Sequence, residues 1–399
     1  MVSATARPYI DASVPVLREH GLTITRTFYR NMFEAHPELK NLFNMGNQAS
    51  GVQQQSLASA VFAYAANIDN ASVLAPVVSR IVHKHVSVGI TAEHYPIVGR
   101  HLLGAIKEVL GDAATPPLLE AWSEAYTELA TALIDAEKVM YALADIAPGQ
   151  LRDMRVIDVR NESEDIKSFV LEPVDGQAAP AFKPGQYVSV SVTFDNGTTQ
   201  LRQYSLSDAP QSRTLRISVK RERRGDEKPA GLVSNWLHDN AGKGTVVRLT
   251  HPFGDFTPDT ESTSSIVLLS AGVGITPMIA VLNCIAQTNP NRRVIFAHAT
   301  RDSTYHAHRA DVAVAKKTMS NLQVVTFYED DKDCNGVTTI AGRMTLEKLA
   351  GWTHDQANVY LCGPVEFMQE QWRALVEAGV PEGRLHREVF GPELLNYVK

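Results

Sequence analysis

Residues 266–277 read IVLLSAGVGITP, an apolar run followed by a turn that contains two glycines. An uninterrupted run of this length is typical of a strand that is covered on both faces of a parallel sheet. Glycines in a turn between such a strand and a helix let the backbone approach a diphosphate closely. The turn lacks the full GxGxxG pattern, and a lone GxG is more often only a turn. The stretch predicts a parallel α/β region and leaves its ligand open.

The same texture continues toward the C-terminus. Apolar runs at 294–298 and 359–362 alternate with segments of helical spacing, as in an α/β sheet. Toward the N-terminus it changes to short strands, such as 187–193 and 215–220, separated by Gly, Asp and Asn turns. We therefore predict an all-β region that begins near residue 151 and an α/β region that begins near residue 264.

The first third of the chain is helical by its spacing. Apolar positions recur at helical intervals over residues 9–144, and the separators between helices are expected at Gly21, Pro37, Gly89 and Gly111. Thr115 and Pro116 form a good N-cap and N1 pair. The helix they start can run past Tyr141, before Pro148 and Gly149 end it.

Length and composition exclude several classes of protein. A chain of 399 residues suggests two or three domains, and a formal charge of -6 gives no reason to expect nucleic acid as a partner. The three cysteines show no CxxC spacing, which favours a reducing, cytoplasmic setting over a disulfide framework or a zinc site. The N-terminus has no apolar signal segment, and no run is long enough to span a membrane.

The last helix of the first third places a carboxylate on an apolar face. At helical spacing the stripe reaches Glu137 after Trp122, Tyr126, Ala130 and Leu133. Burial of an ionised group is costly unless it is paired, so a buried Glu137 requires a buried donor. An equally good alternative is a frayed last turn with Glu137 in water.

Other polar groups lie on predicted apolar faces. Tyr29 follows Phe28 on one such face, and Gln53 lies on the face of Leu57. Four histidines lie in one segment, and a neutral imidazole on an apolar helix face suits a haem iron: His83, His85, His94 and His101. Taken singly, each of these residues is more often a satisfied core or surface residue.

One short strand of the β region combines a cation, a phenol and a hydroxyl, in the run RQYS at 202–205. An exposed arginine on an ordinary strand is the simpler explanation of this run alone. PGQY precedes it at 184–187 and KRE follows at 220–222. GLVSNW at 231–236 could then start a helix whose free N–H groups hold a pyrophosphate.

Long runs in the helical region carry a family resemblance. They are FYRNMFEAHPELKNLFNM at 28–45, HKHVSVGITAEHYPIVG at 83–99 and AWSEAY at 121–126. The chain resembles the bacterial and fungal flavohaemoglobins over its whole length. This resemblance implies an all-α globin haem domain over 1–147, an antiparallel β-barrel FAD domain over 148–263 and an α/β parallel-sheet NAD(P)-binding domain over 264–399. It also implies one haem b, one FAD, and NADH or NADPH as electron donor.

By this resemblance His85 is the proximal ligand of the haem iron, and Tyr95 and Glu137 form a hydrogen-bonded set with it. Tyr29, Gln53 and Leu57 would line the distal pocket, and Phe43 would pack on the porphyrin. The set supplies the buried donor that Glu137 requires. A carboxylate bonded to the proximal imidazole makes the iron more electron-rich, and Tyr29 and Gln53 would steady bound oxygen. The predicted catalytic residues are Tyr29, Gln53, Tyr95 and Glu137.

The second half of the chain resembles the ferredoxin reductase family, in which the RxYS run binds the flavin and a glycine-led helix start holds the diphosphate. The FAD contacts implied are Tyr187, Arg202, Gln203, Tyr204, Ser205, Val219, Lys220, Arg221, Val233 and Ser234. Phe390 is expected to cover the flavin until nicotinamide displaces it. The alternative is a phenylalanine that only seals the C-terminal strand.

The NAD(P) contacts implied by the same resemblance come from three runs: Gly272, Val273, Gly274, Ile275, Thr276 and Pro277; Cys362, Gly363 and Pro364; Val389, Phe390, Gly391 and Pro392. Arg301 could bind a 2'-phosphate and Asp302 a ribose hydroxyl, so the choice between NADH and NADPH stays open. Lys84 and Glu388 are expected near the interface of haem and flavin, where they would tune the redox potentials.

The function implied is that of a nitric oxide dioxygenase. NAD(P)H would reduce FAD, FAD would reduce the haem, and nitric oxide would be oxidised to nitrate with molecular oxygen, with oxygen binding as a secondary activity. One alternative is a plain electron-transfer enzyme that reduces ferric iron, a quinone or an organic hydroperoxide. Another is a gas sensor, although the sequence shows no output domain. We expect a cytoplasmic monomer that detoxifies nitric oxide.

Overall fold

The computed structural model describes residues 2–68, 70–225, 229–330, 332–349 and 356–392. The chain divides into two compact units. The first contains residues 1–151 and 191–202, together with the segment that begins at Gly391. The second contains residues 152–190 and 203–390. The bounds of the three predicted domains stay a prediction.

The N-terminal region is all helical. Its helices are α1 (Arg7–Ala35), α2 (Met45–Ala49), α3 (Val52–Ala66), α4 (Ala71–Val88), α5 (His94–Leu110) and α6 (Pro116–Ala144), with 3-10 turns at Pro37–Asn41 and Gly111–Ala113. Gly89 ends α4 with a left-handed φ of 84°, which glycine adopts without strain. Thr115 occupies the N-cap position of α6, but its side chain makes no capping hydrogen bond.

Gly21 does not separate two helices, and that expectation is wrong. It lies inside α1, which continues without a break to Ala35. A Cβ at position 21 would lie 3.6 Å from the Cβ of Ala58 in α3. The small residue therefore allows close packing of α1 on α3. The cost is that glycine destabilises a helix interior, because it loses more conformational entropy on folding than other residues.

The β region forms one six-stranded sheet. Its strands are β1 (Arg152–Asn161), β2 (Ile166–Pro173), β3 (Tyr187–Thr193), β4 (Thr199–Ser205), β5 (Leu215–Lys220) and β6 (Val246–Leu249), in the order β4-β3-β6-β1-β2-β5. The pairs β1/β2, β1/β6 and β2/β5 are antiparallel. An antiparallel bridge between Leu206, just after β4, and Ile217 in β5 joins the two ends of the sheet, as a barrel requires. Helix α7 (Leu232–Asn240) follows β5.

The C-terminal region forms a second six-stranded sheet, in the order β10-β9-β8-β7-β11-β12. Its strands are β7 (Ile266–Ala271), β8 (Val294–Thr300), β9 (Leu322–Tyr328), β10 (Thr339–Ala341), β11 (Asn358–Cys362) and β12 (Leu385–Glu388). All five of its strand pairs are parallel. Its helices are α8 (Ile275–Thr288), α9 (Arg309–Thr318) and α10 (Val365–Glu377), with 3-10 turns at Gly272–Gly274, Ser303–Tyr305, Leu346–Lys348 and Glu382–Arg384.

Both faces of this sheet are covered by apolar side chains. Leu268 of β7 packs in one core cluster with Met278 of α8, whereas its neighbour Leu269 packs in another with Leu375 of α10. This explains why the run that opens the domain is continuously apolar. The strand order reverses between β7 and β11, which places a topological switch point at the carboxyl ends of these strands.

Candidate functional site

Glu137 is buried on α6, with 2% of its surface exposed, which confirms the expectation from the apolar stripe. Its Oε1 lies 2.7 Å from Nδ1 of His85, a residue of α4. The hydroxyl of Tyr95, in α5, donates to the same Oε1 at 2.5 Å and lies 3.1 Å from the His85 Nδ1. A carboxylate is an acceptor, so it fixes the proton on Nδ1 and leaves Nε2 for a ligand.

The phenol of Tyr95 is held in its neutral form. Burial raises its pKa, and the hydrogen bond and the negative charge of Glu137 raise it further. The His85 side chain is 34% exposed, whereas that of Glu137 is 3% exposed. The imidazole therefore lies at the edge of the packed core, with its orienting carboxylate underneath.

Two further tyrosines hold this arrangement, and the sequence alone assigns them no role. Tyr126 donates to the backbone carbonyl of Tyr95 at 2.7 Å. Tyr141 donates to the carbonyl of Ile90, just beyond α4, at 2.9 Å. Both lie on the stripe of α6 that contains Glu137, so continuing that stripe by one more turn would have found Tyr141.

The other three histidines of the segment have different surroundings. Nδ1 of His94 accepts from the backbone N–H of Thr91 at 2.9 Å, which places His94 at the start of α5 as a local cap. His101 packs edge-on against His36, with ring centroids 5.5 Å apart. His83 is half-buried on α4. His85 is the histidine of the four that contacts Glu137.

Tyr29 and Gln53 face each other across α1 and α3. The side-chain amide of Gln53 donates to the Tyr29 hydroxyl at 3.4 Å, so that bond does not use the phenol proton. Burial raises the pKa of Tyr29 to about 12, and the hydrogen bond from Gln53 opposes that rise. Tyr29 therefore stays a neutral donor over the whole physiological range.

Aromatic and aliphatic side chains surround this polar pair. The ring of Phe43 lies edge-on to that of Tyr29, with centroids 5.8 Å apart. Phe43 and Leu57 are half-buried at the border of the helical core, as are Val61, Ile97 and Val98.

These residues fit a haem. An oriented neutral imidazole is the donor that haem iron takes in globins, and half-exposed apolar side chains suit a flat apolar macrocycle.

The PGQY and RQYS runs meet in the barrel. The backbone N–H of Leu206, next to Ser205, donates to the carbonyl of Gln186 at 2.9 Å. Tyr187 is 6% exposed and pairs through its backbone with Phe253. Along β4, Ser205 is buried, Arg202 and Tyr204 are half-buried and Gln203 is exposed.

Gly185 allows the PGQY run to lie close to the backbone of Phe256. Its φ is +102°, and a Cβ there would lie 2.1 Å from the carbonyl oxygen of Phe256. No other residue type fits without moving the backbone.

The start of α7 lies beside the end of β5. Gly231 is the N-cap of α7 and offers no side-chain cap, so the first N–H groups of the helix are available to an anion. A Cβ at Gly231 would lie 2.6 Å from Oγ of Ser234 and 2.9 Å from Cβ of Glu222. This cradle suits a diphosphate next to Val233 and Ser234.

Arg221, one of the predicted FAD contacts near this cradle, is already paired. It donates to Asn235 at 2.9 Å and to Asp239 at 2.5 Å, so its side chain holds α7 against the strand end. The neighbouring Lys220 is half-buried, and its Nζ lies 3.7 Å from Glu222; Val219 is fully buried and accepts from His238 through its carbonyl at 2.8 Å.

The GVGITP and CGP runs meet at the switch point of the parallel sheet. Cys362 of β11 is in register with Ser270 of β7, so the two turns emerge side by side. A Cβ at Gly274 would lie 2.2 Å from the carbonyl oxygen of Cys362 and 2.7 Å from the N of Gly363. Glycine at 274 therefore allows two turns about 90 residues apart in sequence to touch.

These turns fit a nucleotide diphosphate. Gly272, with a φ of +53°, and Val273 are half-buried at the edge, whereas Ile275, Thr276 and Pro277 are buried at the start of α8. Pro364 is exposed beside them, at the N-cap of α10. Backbone N–H groups at a helix start, approached over glycine, are the usual phosphate-binding arrangement at a switch point.

The residues that bear on the choice of nucleotide follow β8. The guanidinium of Arg301 stacks on the ring of Tyr305 at 3.5 Å. The carboxylate of Asp302 caps the next 3-10 turn by accepting from the backbone N–H of Thr304 at 2.8 Å. Both candidate groups thus have a partner within the chain, and the arrangement does not select NADH or NADPH.

The predicted C-terminal contacts lie at the end of β12. Glu388 and Val389 are buried, whereas 46% of Phe390 is exposed. Gly391 and Pro392 are half-buried, and Lys84 donates to the backbone carbonyl of Gly391 within the first unit. The tuning roles of Lys84 and Glu388, and that of Phe390 as a cover, stay predictions. No helix in the described ranges has the length and apolarity to cross a bilayer.

Three family profiles match the chain in succession. The globin family matches residues 26–133, the oxidoreductase FAD-binding domain matches 153–257 and the oxidoreductase NAD-binding domain matches 268–372. The predicted fold class and its order along the chain are therefore confirmed.

Relatives match over the full length. The flavohemoprotein of Chromobacterium violaceum is 50% identical and covers 98% of each chain. Among solved structures, the flavohemoglobin of Malassezia yamatoensis with bound FAD and heme has a TM-score of 0.85 at 30% identity, over 98% of this chain and 100% of that one. The flavohem-like FAD/NAD binding domain of nitric oxide dioxygenase from Vibrio cholerae has a TM-score of 0.55 at 38% identity, over 60% of this chain and 99% of that one.

Haem, FAD and a nicotinamide nucleotide are accordingly the cofactors of this chain, as the resemblance implied. The helical region holds the donor set for haem, the barrel holds the flavin runs, and the parallel sheet holds the nucleotide turns. With full-length identity of this order, the chain belongs to the flavohemoprotein family, and it is an oxidoreductase in which a globin is fused to an FAD- and NAD(P)H-dependent reductase.

Proposed function

We propose that this flavohemoprotein is a nitric oxide dioxygenase, which uses electrons from NAD(P)H to oxidise nitric oxide to nitrate with molecular oxygen, and so protects against nitrosative stress. Oxygen binding is its secondary activity. We propose a monomer that acts in the cytoplasm. The three cysteines are free, in line with a reducing setting.

The observation that carries the proposal is the hydrogen bond of 2.7 Å between His85 Nδ1 and Glu137 Oε1. When bound, haem supplies the iron at which oxygen and nitric oxide react, FAD converts a hydride into single electrons and the nicotinamide nucleotide supplies that hydride. Glu137 holds the Nδ1 proton of His85 and draws it toward the carboxylate, which makes Nε2 a stronger electron donor. A strong proximal donor favours oxygen activation over reversible storage.

On the other side of the pocket, Tyr29 supplies a hydroxyl proton. Gln53 donates to the Tyr29 oxygen, which orients the phenol and leaves its proton for a ligand. Because burial keeps Tyr29 neutral, this donor is present at every physiological pH. Leu57 and Phe43 pack against the same apolar cluster as Tyr29. A hydrogen bond to developing negative charge in a dry pocket contributes to catalysis.

In the reductase, the chain's task is to orient two nucleotides. The start of α7 binds a diphosphate through backbone N–H groups, and the turns at Gly274 and Gly363 offer a second such place. Glycine at 274 lets these two turns touch, because a Cβ there would lie 2.2 Å from the carbonyl oxygen of Cys362.

The test is consumption of nitric oxide by the haem- and FAD-loaded chain under oxygen, with NADH or NADPH as donor and nitrate as the measured product. We expect rapid, donor-dependent loss of nitric oxide with one nitrate formed for each. In the variant His85→Ala this activity should vanish, because iron loses its protein ligand, while reduction of cytochrome c through the flavin continues.

The same pair of assays separates the proposal from a plain reductase. Nitric oxide consumption that persists in His85→Ala would rule out the haem mechanism. Reduction of ferric iron, a quinone or a hydroperoxide that outpaces nitric oxide loss in the wild type would make the globin an electron relay.

A further inference from the structure

A second cluster of side chains that can ligate a metal lies in the second unit, outside every site described above. Glu162 directly follows β1, His308 is the N-cap of α9 and Asp311 lies in the first turn of α9. One ligand atom from each of the three lies within 4.8 Å of the other two. Nδ1 of His308 is hydrogen-bonded to Oδ2 of Asp311 at 2.9 Å and lies 3.8 Å from Oε2 of Glu162.

The two carboxylates are held in place by their other oxygens. Oδ1 of Asp311 accepts from Arg216 at 3.1 Å and from Asn283 at 3.1 Å. Oε1 of Glu162 accepts from the hydroxyl of Ser168 at 2.7 Å. Each carboxylate is thus oriented from behind, and its second oxygen faces His308. Such outer hydrogen bonds are what fixes ligand carboxylates in metal sites.

Glu162 Oε2 has no hydrogen-bond partner in the described part of the chain, although the Glu162 side chain is only 9% exposed. The His308 side chain is 0% exposed, and its Nε2 is buried without a partner among the described residues. The polar contacts of this imidazole therefore all pass through Nδ1. Oε2 of Glu162 and Oδ2 of Asp311 both face this nitrogen.

The charges of the cluster do not balance. Among its least exposed groups, two carboxylates, Glu162 (9% exposed) and Asp311 (15% exposed), lie close to one buried arginine, Arg216, at 3.1 Å from Asp311. The other charged groups nearby, Asp208 and Arg160, are 31% and 53% exposed. Arg216 is 3% exposed, so water screens these charges weakly. Buried anions in excess need a further cation.

We propose that Glu162, His308 and Asp311 bind a divalent transition-metal cation of the Zn²⁺ class. Imidazole together with carboxylate is a donor set that zinc accepts, at about 2.0–2.2 Å from each ligand atom. The softer nitrogen donor disfavours Ca²⁺ and Mg²⁺, which take oxygen ligands. The cation would link the residue after β1 to the start of α9, and so join the segments that match the FAD-binding and NAD-binding families.

The test is equilibrium dialysis of the full chain, loaded with haem and FAD and freed of other metals by a chelator, against Zn²⁺ alone. Zinc per chain is measured by mass spectrometry. We expect the wild type to retain one more zinc than Glu162→Gln, which keeps the acceptor for Ser168 but loses the charge. Glu164→Gln is the matched control, because it makes the same charge change at an exposed position two residues away.

Two further variants protect the test against a folding failure. His308→Asn suits the left-handed φ of 61° at this position and should also lose one zinc. Ser168→Ala keeps all three ligands and should weaken zinc binding roughly 10- to 100-fold, as removal of an outer hydrogen bond does elsewhere.

Zinc should also raise the melting temperature of the wild type and of Glu164→Gln, but not that of Glu162→Gln. Equal zinc content and equal thermal shifts in wild type and Glu162→Gln would overturn the proposal. So would a wild type that holds no zinc.

Discussion

At the scale of single residues, the burial of Glu137 sets the chemistry of the proximal side. One carboxylate oxygen accepts from both His85 and Tyr95, and no more than 2% of the residue reaches solvent. Charge-assisted bonds of this kind are stronger than neutral ones in a buried place. His85 is therefore fixed both in orientation and in tautomer.

In Glu137→Gln, the negative charge that polarises His85 is lost while the shape is kept. We expect kcat for nitric oxide oxidation to fall roughly 10- to 100-fold, the usual cost of losing such an outer partner. The iron–histidine stretching frequency in the resonance Raman spectrum should fall with it, because the imidazole becomes a weaker donor.

Tyr95→Phe is the matched control, since it removes the second donor and leaves the bond between His85 and Glu137. It should shift that frequency less. An unchanged frequency in Glu137→Gln would contradict the proposed role of the carboxylate.

Tyr29 makes the free energy of unfolding depend on pH in the alkaline range. Its folded-state pKa is raised by burial from 10.0 to about 12, so the folded chain keeps a proton that the unfolded chain loses in this window. Stability that is fully present below pH 10 is therefore lost as pH rises toward 12, by about 3 kcal/mol at most.

Tyr29→Phe removes the phenol proton and with it this pH-dependent contribution to stability. Urea unfolding below pH 10 and near pH 12 should show a smaller loss of stability in Tyr29→Phe than in the wild type, whereas Tyr9→Phe, at a residue 41% exposed, should behave like the wild type. Equal alkaline losses in Tyr29→Phe and the wild type would argue against a buried neutral phenol.

At the scale of elements, the two nucleotide turns depend on one missing Cβ. The turn after β7 touches the turn after β11 at Gly274, where a Cβ would lie 2.2 Å from a backbone oxygen. Backbone cannot move aside as a flexible side chain can. The two turns must therefore separate if position 274 carries any side chain.

In Gly274→Ala we expect KM for NADH or NADPH to rise at least about tenfold, because misplacement of a cradle by about 1 Å costs much binding and orientation. Stopped-flow reduction of the flavin measures this directly. Gly383→Ala, where a Cβ meets nothing within 4 Å, is the control and should leave flavin reduction unchanged. Normal flavin reduction in Gly274→Ala would mean that the turns do not hold the nucleotide.

At the scale of the whole molecule, a buried arginine stabilises the second unit. Arg216 is 3% exposed, and its guanidinium binds Asp311 and the carbonyl of Ser207. Removal of one partner from a buried ion pair leaves the other charge uncompensated, at a cost of roughly 3–5 kcal/mol.

Arg216→Met should therefore lower the thermal transition of the second unit and leave the haem absorption spectrum of the first unchanged. Thermal unfolding monitored by absorbance at the flavin and haem bands distinguishes the two units. Arg213→Met, at an exposed position in the same segment, is the control. A loss of haem in Arg216→Met would show that the two units do not respond independently.

Local sequence determined the elements of this protein. The strands predicted at 187–193 and 215–220 are those of the structure. The apolar stripe on α6 correctly predicted that Glu137 is buried. Such patterns depend on spacing within one element, which alternation and helical periodicity report directly. Gly21 shows the limit of this logic, because a glycine that serves packing looks the same in sequence as one that ends a helix.

The tertiary structure decided which distant groups meet. Nothing in the spacing of the GVG and CGP turns says that Gly274 touches Cys362, because that contact follows from the order of β7 and β11 in the sheet. Likewise Glu162 and His308 are far apart in sequence and converge only because the fold brings the residue after β1 next to the N-cap of α9. Burial and charge at such places depend on the whole fold, since each element supplies only one part of the surroundings.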